Sequence, residues 1–191
     1  MENTEETTPF ISEIKASSLS YAVKYGLIIS SITVLYSLFL YALDLMFITW
    51  LGLLSWGIVI VGIVLAIINF RDKINGGFIS FGKAFSIGFL IILIYAIISI
   101  IYYYVLTTFI DPQIPERMMQ MAQEKLMSKG LSDEMIDQQV QMQEKFMTGS
   151  LKYVGILIQL FSMVLIGTII SLFCALILKK QDDSFKATFS E

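Results

Sequence analysis

Hydrophobic residues in this chain are collected into four long blocks. Residues 25–43, 45–70, 84–110 and 153–178 contain no Asp, Glu, Lys or Arg. A helix of about 20 apolar residues crosses the roughly 30 Å hydrocarbon core of a bilayer. A strand of a membrane β-barrel would instead alternate apolar and polar residues over about 10 positions. Runs such as 91–94 are apolar at every position. The pattern predicts an all-α integral membrane protein with a four-transmembrane-helix bundle.

The composition agrees with a membrane protein and excludes several kinds of catalytic site. The 191 residues are 56% hydrophobic and 15% charged, against about 25% charged in soluble domains. The chain has no His and one Cys, and it contains no phosphate loop or HExxH motif. The usual hydrolase sites are therefore excluded. We expect no enzymatic activity, no catalytic residue, no cofactor, no metal and no nucleic-acid partner.

The positions of Lys and Arg predict the orientation of the helices, because short loops rich in these residues stay in the cytoplasm. The turn around Asp44 has no basic residue. The connection between helices 3 and 4 carries seven acidic and five basic residues over 42 positions, so we place it outside. The first block begins only at Tyr25 and is expected to be retained rather than cleaved. Cytoplasmic termini are predicted from the basic residues that flank the blocks: Lys15, Lys24, Arg71, Lys73, Lys83, Lys179, Lys180 and Lys186.

The long connection itself predicts two helices. Pro115 suits a first helical turn, and Gly130 ends the first helix near Lys129. Ser132 then caps a second helix, which runs to about Met147. The two form a helical hairpin, which either stands on the membrane or lies on its outer surface.

Methionine is concentrated in this hairpin, and three interpretations are open. Adaptable apolar packing is the preferred one. Binding of a soft ion such as Cu(I) by thioethers is the second, and it has neither His nor a nearby Cys to support it. A surface for an amphipathic partner is the third. The hairpin residues that we select as partner or lipid contacts are Met118, Met121, Met135 and Met142.

Few residues inside the predicted spans are candidates for a catalytic or transport role. No ionisable residue lies well within a block, which disfavours a pump or an ion-coupled transporter. Asn69 and Gln159 are predicted to make interhelical hydrogen bonds. Glycines 52, 57 and 62 repeat every five residues and are expected to contact more than one neighbour. Packing inside the bundle, with self-association as the alternative, is predicted for four pairs of small residues: Gly26 and Ser30, Gly62 and Ala66, Ala84 and Gly88, and Gly167 and Ser171.

Residues 71–89 form the most distinctive local pattern. A Gly-Gly turn at 76–77 precedes an interfacial segment, in which phenylalanines would sit among headgroups while Lys83 reaches water. The alternative is that Arg71, Lys73, Phe81 and Lys83 bind anionic lipid or a cytoplasmic partner.

This pattern, G-G-F-I-S-F-G-K-A-F at 76–85 followed by Gly88, resembles a family of four-span membrane proteins of Bacteroidota, domain-of-unknown-function family 4199. The Asp111-Pro112 exit from helix 3 and the Lys129–Ser132 segment are also similar. The resemblance covers about residues 20–180. It implies an inner-membrane location with the long loop in the periplasm, and it brings no catalytic residue.

We therefore predict five segments: an acidic cytoplasmic N-terminal tail (1–20), transmembrane helices 1–3 (21–110), the extracytoplasmic hairpin (111–150), transmembrane helix 4 (151–180) and a cytoplasmic C-terminal tail (181–191). The predicted function is that of an interaction, assembly or accessory subunit that uses the hairpin. Its partners would be membrane lipids, a second copy, or a membrane or periplasmic protein. The alternative is a subunit of a small-molecule or lipid transporter or channel, with a water-filled path near Asn69 and Gln159.

Overall fold

Every regular element in the described part of the chain is helical. The computed structural model describes residues 7–130, 132–147 and 149–180, with side chains from residue 18 onward. A π-helical turn, Leu106–Ile110, continues directly from the third helix. The helices are α1 (Thr7–Ala42), α2 (Thr49–Lys73), α3 (Phe81–Val105), α4 (Ile114–Ser128), α5 (Asp133–Met147) and α6 (Lys152–Leu178).

Four of these segments are long and apolar enough to cross a membrane: Ser18–Ala42, Thr49–Lys73, Phe81–Ile110 and Lys152–Leu178. The protein is thus an all-helical, multi-pass membrane protein, which confirms the prediction from the charge-free blocks. The two helices predicted between spans 3 and 4 are also present, as α4 and α5. Gly130 has a φ of +72° directly after the C-cap of α4, a conformation that glycine adopts without a steric penalty.

The first helix includes part of the segment that was assigned to the N-terminal tail. The tail was predicted for residues 1–20, and its described residues from Thr7 onward are helical, as part of α1. No Gly or Pro between Pro9 and Gly26 interrupts this part of the helix. Residues 1–6 and the predicted tail at 181–191 lie outside the described residues.

The helices contribute to two compact units, whose boundaries fall inside α3 and α6. The first unit comprises described residues 7–95 and 164–180. Its core is formed by side chains of α2 and α3 that are at most 1% exposed: Val59, Ile63, Ile67, Phe70, Ile87, Ile91 and Ile92. Large apolar side chains on the outside, such as Leu35 and Ile177, are more than half exposed, as expected of surfaces that face lipid.

Small residues bring the helices of the first unit together. A Cβ on Gly26 would lie 2.9 Å from Ile94 Cδ1, and one on Gly62 would lie 2.6 Å from Ile29 Cγ1. A Cβ on Gly88 or Gly167 would overlap Ser171 or Ile92. All four predicted pairs of small residues thus have a glycine in close contact with another helix of this unit.

The prediction for the five-residue repeat of glycines was wrong at two positions. A Cβ on Gly52 or Gly57 would meet nothing within 4 Å, and only Gly62 is packed. The repeat was based on spacing alone, and spacing does not show which face of α2 meets a neighbour.

The buried Ser and Thr side chains of the described first unit are bonded to backbone carbonyls. Ser30 Oγ donates to Gly26 O at 2.7 Å, and Thr33 Oγ1 donates to Ile29 O at 2.9 Å. Ser171 Oγ donates across helices to Phe85 O at 3.1 Å. Such bonds satisfy hydroxyl groups where no water is present.

The second unit comprises residues 96–163. It contains the end of α3, the π-helical turn, α4, α5 and the start of α6, and α4 packs on α5. Ile114 and Ile136 are fully buried. Gly155 of α6 lies against the backbone of Phe146, close to the end of α5. We call α4 and α5 the helix pair.

Candidate functional site

The connection between α2 and α3 folds as a compact turn that the two glycines make possible. Gly76 and Gly77 have φ of +65° and +87°, in the left-handed region that favours glycine. Gly77 N–H donates to Arg71 O at 2.8 Å, and Asn75 Nδ2–H donates to the carbonyl of Phe78. The Ser80 hydroxyl accepts a hydrogen bond from the Lys83 N–H at 3.4 Å. Ser80 directly precedes α3, at the position where side chains cap helix N-termini.

Lys83 is bonded to this turn. Its Nζ donates to Asn75 Oδ1 at 2.9 Å and lies 5.2 Å from the ring centroid of Phe70. The Lys83 side chain remains partly exposed, so its contact with water at the level of the headgroups stays a prediction. A cation over such a ring is stabilised by the ring quadrupole.

The end of α6 is joined to the same turn. Ile79 and Lys180 form an isolated antiparallel bridge, with N–H···O distances of 2.8 and 3.0 Å. The Nζ of Lys180 lies 5.6 Å from the centroid of Phe78. The 2–3 connection and the end of α6 are thus at the same end of the first unit, a contact that no sequence pattern had indicated.

This end of the first unit is basic and partly aromatic. Arg71 forms a two-point ion pair with Asp72, with N···O distances of 2.6 and 3.2 Å, while Lys73 is exposed. Phe81 stacks on Phe85 with 6.2 Å between ring centroids. Three of the selected residues, Arg71, Lys73 and Lys83, thus lie in or beside one turn, but Arg71 and Lys83 already have partners. Binding of anionic lipid or of a cytoplasmic partner here stays a prediction.

We expect Asn75→Ala to destabilise the fold by about 1–2 kcal/mol, because it leaves the Lys83 ammonium without its acceptor. Lys83→Met removes the charge and keeps the apolar stem. Unfolding in mixed micelles measures the stability of both single variants and of the double variant. The double variant should lose about 1 kcal/mol less stability than the sum of the two single losses. Strictly additive losses would show that the bond contributes nothing.

The helix pair separates its methionines by exposure. Met135 and Met142 of α5 are 50% and 57% exposed, and Met118 of α4 is 38% exposed. Met121 is half-buried. Met135 and Met142 are seven residues apart, which places them on one side of α5. Packing between the two helices does not account for these two exposed side chains, and apolar packing against a second copy or on lipid headgroups stays a prediction.

A cavity of about 390 Å³ lies in the second unit, between the helix pair and the adjoining ends of α3 and α6. The hydroxyl of Tyr103 donates to Met118 Sδ at 3.9 Å, and Lys152 Nζ lies 5.9 Å from the centroid of Tyr104. The lining residues are Ile100, Tyr103, Tyr104, Thr107, Pro112, Pro115, Met118, Phe146, Met147, Lys152, Gly155, Ile156 and Gln159.

The entry to α4 is fixed by Asp111. Its carboxylate accepts the N–H of Gln113 at 3.0 Å and forms an ion pair with Arg117. The π-helical turn that precedes it is closed by Asp111 N–H donating to Leu106 O at 2.8 Å. These bonds determine the direction in which the chain leaves α3, and they explain the Asp111-Pro112 exit in structural terms.

Sequence reasoning found part of this cavity and missed the rest. It selected Met118 and Gln159, and both line the cavity. It did not select Tyr103, Tyr104 or Lys152 as site residues. Asn69 lies in the first unit and Gln159 in the second, and interhelical hydrogen bonding by these amides stays a prediction.

Comparison with known proteins yields one family. A family model described as "Protein of unknown function (DUF4199)" matches residues 24–180. No curated protein and no solved structure matches the chain.

Proposed function

Since the chain belongs to DUF4199, a family of unknown function, we propose its role from its own geometry. It is an accessory or assembly subunit of the bacterial inner membrane, without enzymatic activity, that binds a membrane or periplasmic protein through the helix pair.

The observation that carries this proposal is the exposed methionine face of α5. Met135 and Met142 are at least half exposed, whereas Ile136 is only 2% exposed. The helix therefore has one apolar side that is buried and a second that is open. Methionine adapts its shape to different partners, and exposed methionine surfaces are used for partner helices in other proteins.

The periplasmic location is part of the proposal, and charge supports it. The basic residues of the 2–3 connection and of the end of α6 would face the cytoplasm. The Ile79–Lys180 bridge supports placing these two segments on one side. With four spans, the helix pair then lies on the opposite side, in the periplasm.

The transporter alternative has less support in the first unit. Large apolar side chains fill the core of its described residues, and the buried hydroxyls of Ser30, Thr33 and Ser171 donate to backbone carbonyls. This packing favours the accessory role over a water-filled path near Asn69.

Site-specific photo-crosslinking in growing cells tests the proposal. A photoreactive residue at Met135 or Met142 should capture the same partner protein from both positions. The matched positions Asp137 and Gln141 are exposed on other sides of α5 and should capture little. Met135→Lys combined with Met142→Lys should abolish association, whereas Gln141→Lys should not.

Two outcomes would contradict the proposal. Equal capture from all four positions would indicate random collision. An adduct that contains only a second copy of this chain would replace the partner protein with a homodimer.

A further inference from the structure

We propose that the cavity of the second unit binds an anionic phospholipid, with part of one acyl chain inside the cavity and the headgroup beside Lys152. This site is separate from the methionine face of α5, because Met135 and Met142 do not line the cavity.

The size and lining of the cavity suit an apolar chain. Its volume of about 390 Å³ lies at the lower end of the roughly 300–1,000 Å³ that hold drug-sized ligands. Ile100, Phe146 and Ile156 form apolar parts of the wall. A whole phospholipid is larger than such a ligand, so the second acyl chain would stay in the bilayer.

The charge at the cavity points to an anion. Lys152 is the one charged residue among those that line it. No carboxylate within the described ranges forms an ion pair with Lys152, and its Nζ lies over the face of Tyr104. An ammonium at the rim of an apolar cavity attracts an anionic headgroup and leaves the apolar part of the ligand inside.

Two further polar groups have capacity for a headgroup. The Tyr103 hydroxyl donates only to the sulfur of Met118, a weak acceptor that an oxygen can displace. Gln159 lines the same cavity and is exposed. The phenol and the ammonium are both donors to phosphate oxygens.

The depth of the cavity favours a lipid over a soluble anion. Tyr103 and Tyr104 lie near the end of the span Phe81–Ile110, and Lys152 begins the span Lys152–Leu178. Span ends coincide with the headgroup region, where Tyr is enriched. An anionic phospholipid has its charged and apolar parts arranged in the same order as Lys152 and the apolar wall.

Photoactivatable lipids test this inference on the full-length protein. Nanodiscs of phosphatidylcholine would contain a small fraction of phosphatidylglycerol that carries a diazirine in one acyl chain, and labelled peptides would be mapped by mass spectrometry. We expect label at residues 100–107 and 152–159, and several-fold less when the diazirine is on phosphatidylcholine.

Substitutions separate charge from fold. Lys152→Gln should reduce phosphatidylglycerol labelling of these peptides about fivefold, the effect of one basic residue near a headgroup. Lys152→Arg should retain it, and Lys129→Gln, at an exposed lysine outside the cavity, should not change it. Met118→Trp should lower labelling by filling the cavity while leaving Lys152 in place.

Three results would overturn the inference. Equal labelling by both headgroups would remove the role of charge. Unchanged labelling in both Lys152→Gln and Met118→Trp would place the lipid elsewhere. Labelling by a diazirine fatty acid but not by phosphatidylglycerol would make the ligand a free carboxylate.

Discussion

Gly155→Ala is expected to destabilise the second unit by about 3 kcal/mol, the upper part of the range for overpacked sites. The added Cβ would overlap the carbonyl oxygen of Phe146 and lie 3.1 Å from its carbon. A backbone carbonyl cannot rotate away as a side chain can, so the end of α5 must move or unwind. Unfolding in mixed micelles should show the loss, and hydrogen exchange should show faster exchange in α5.

A glycine in open space is the control for this substitution. A Cβ on Gly82 would meet nothing within 4 Å, so Gly82→Ala should change stability by no more than about 1 kcal/mol. If Gly155→Ala were as mild as Gly82→Ala, with unchanged exchange in α5, the close contact between α5 and α6 would not exist.

Gly88→Ala and Gly167→Ala are expected to be nearly as damaging, at about 2–3 kcal/mol each. A Cβ on Gly88 would overlap Ser171 Oγ, which is held by its bond to Phe85 O. A Cβ on Gly167 would lie 2.8 Å from Ile92 Cδ1, and Ile92 is fully buried. Both changes force α3 and α6 apart inside the first unit, and unfolding in mixed micelles measures the cost.

Gly57→Ala provides the comparison within a span. Its Cβ would point into open space, and alanine favours helix by up to about 1 kcal/mol over glycine. We expect no loss of stability there. A similar loss at Gly57, Gly88 and Gly167 would mean that glycine matters for backbone flexibility rather than for close packing.

The spans and the helix pair were predictable because particular residue types mark their boundaries. Charged residues bound the apolar blocks, so the third block, 84–110, ends at Ile110, where the third span ends. Gly130 separates α4 from α5 through a backbone conformation that few other residues adopt. Composition and single residues determine these limits, and no tertiary contact is needed to find them.

Other features were not predictable because they depend on contacts between distant segments. The cavity requires Tyr103, Met118 and Lys152 to meet, although no periodicity relates them. The sequence pattern did not show that α1 includes residues 7–20, because Glu13 and Lys15 interrupt the apolar pattern without preventing a helix. Among similar glycines, only the neighbouring helix distinguishes Gly62, which is packed, from Gly57, which is open.

The structure also changes the meaning of the Gly76–Gly88 pattern. The glycines permit the turn, Ser80 lies at the start of α3, Lys83 binds Asn75, and Gly88 contacts Ser171. Every one of these positions has a structural reason. The pattern therefore describes how the spans are joined, and it does not by itself mark a binding site.

The bridge between Ile79 and Lys180 has a consequence for biosynthesis. A ribosome makes the 2–3 connection long before it makes the end of the fourth span. Until that span is inserted, the N–H and the carbonyl of Ile79 have no partner in the bridge. A nascent chain with only three spans therefore cannot close this bridge, and the 2–3 connection is completed only after the fourth span has been made.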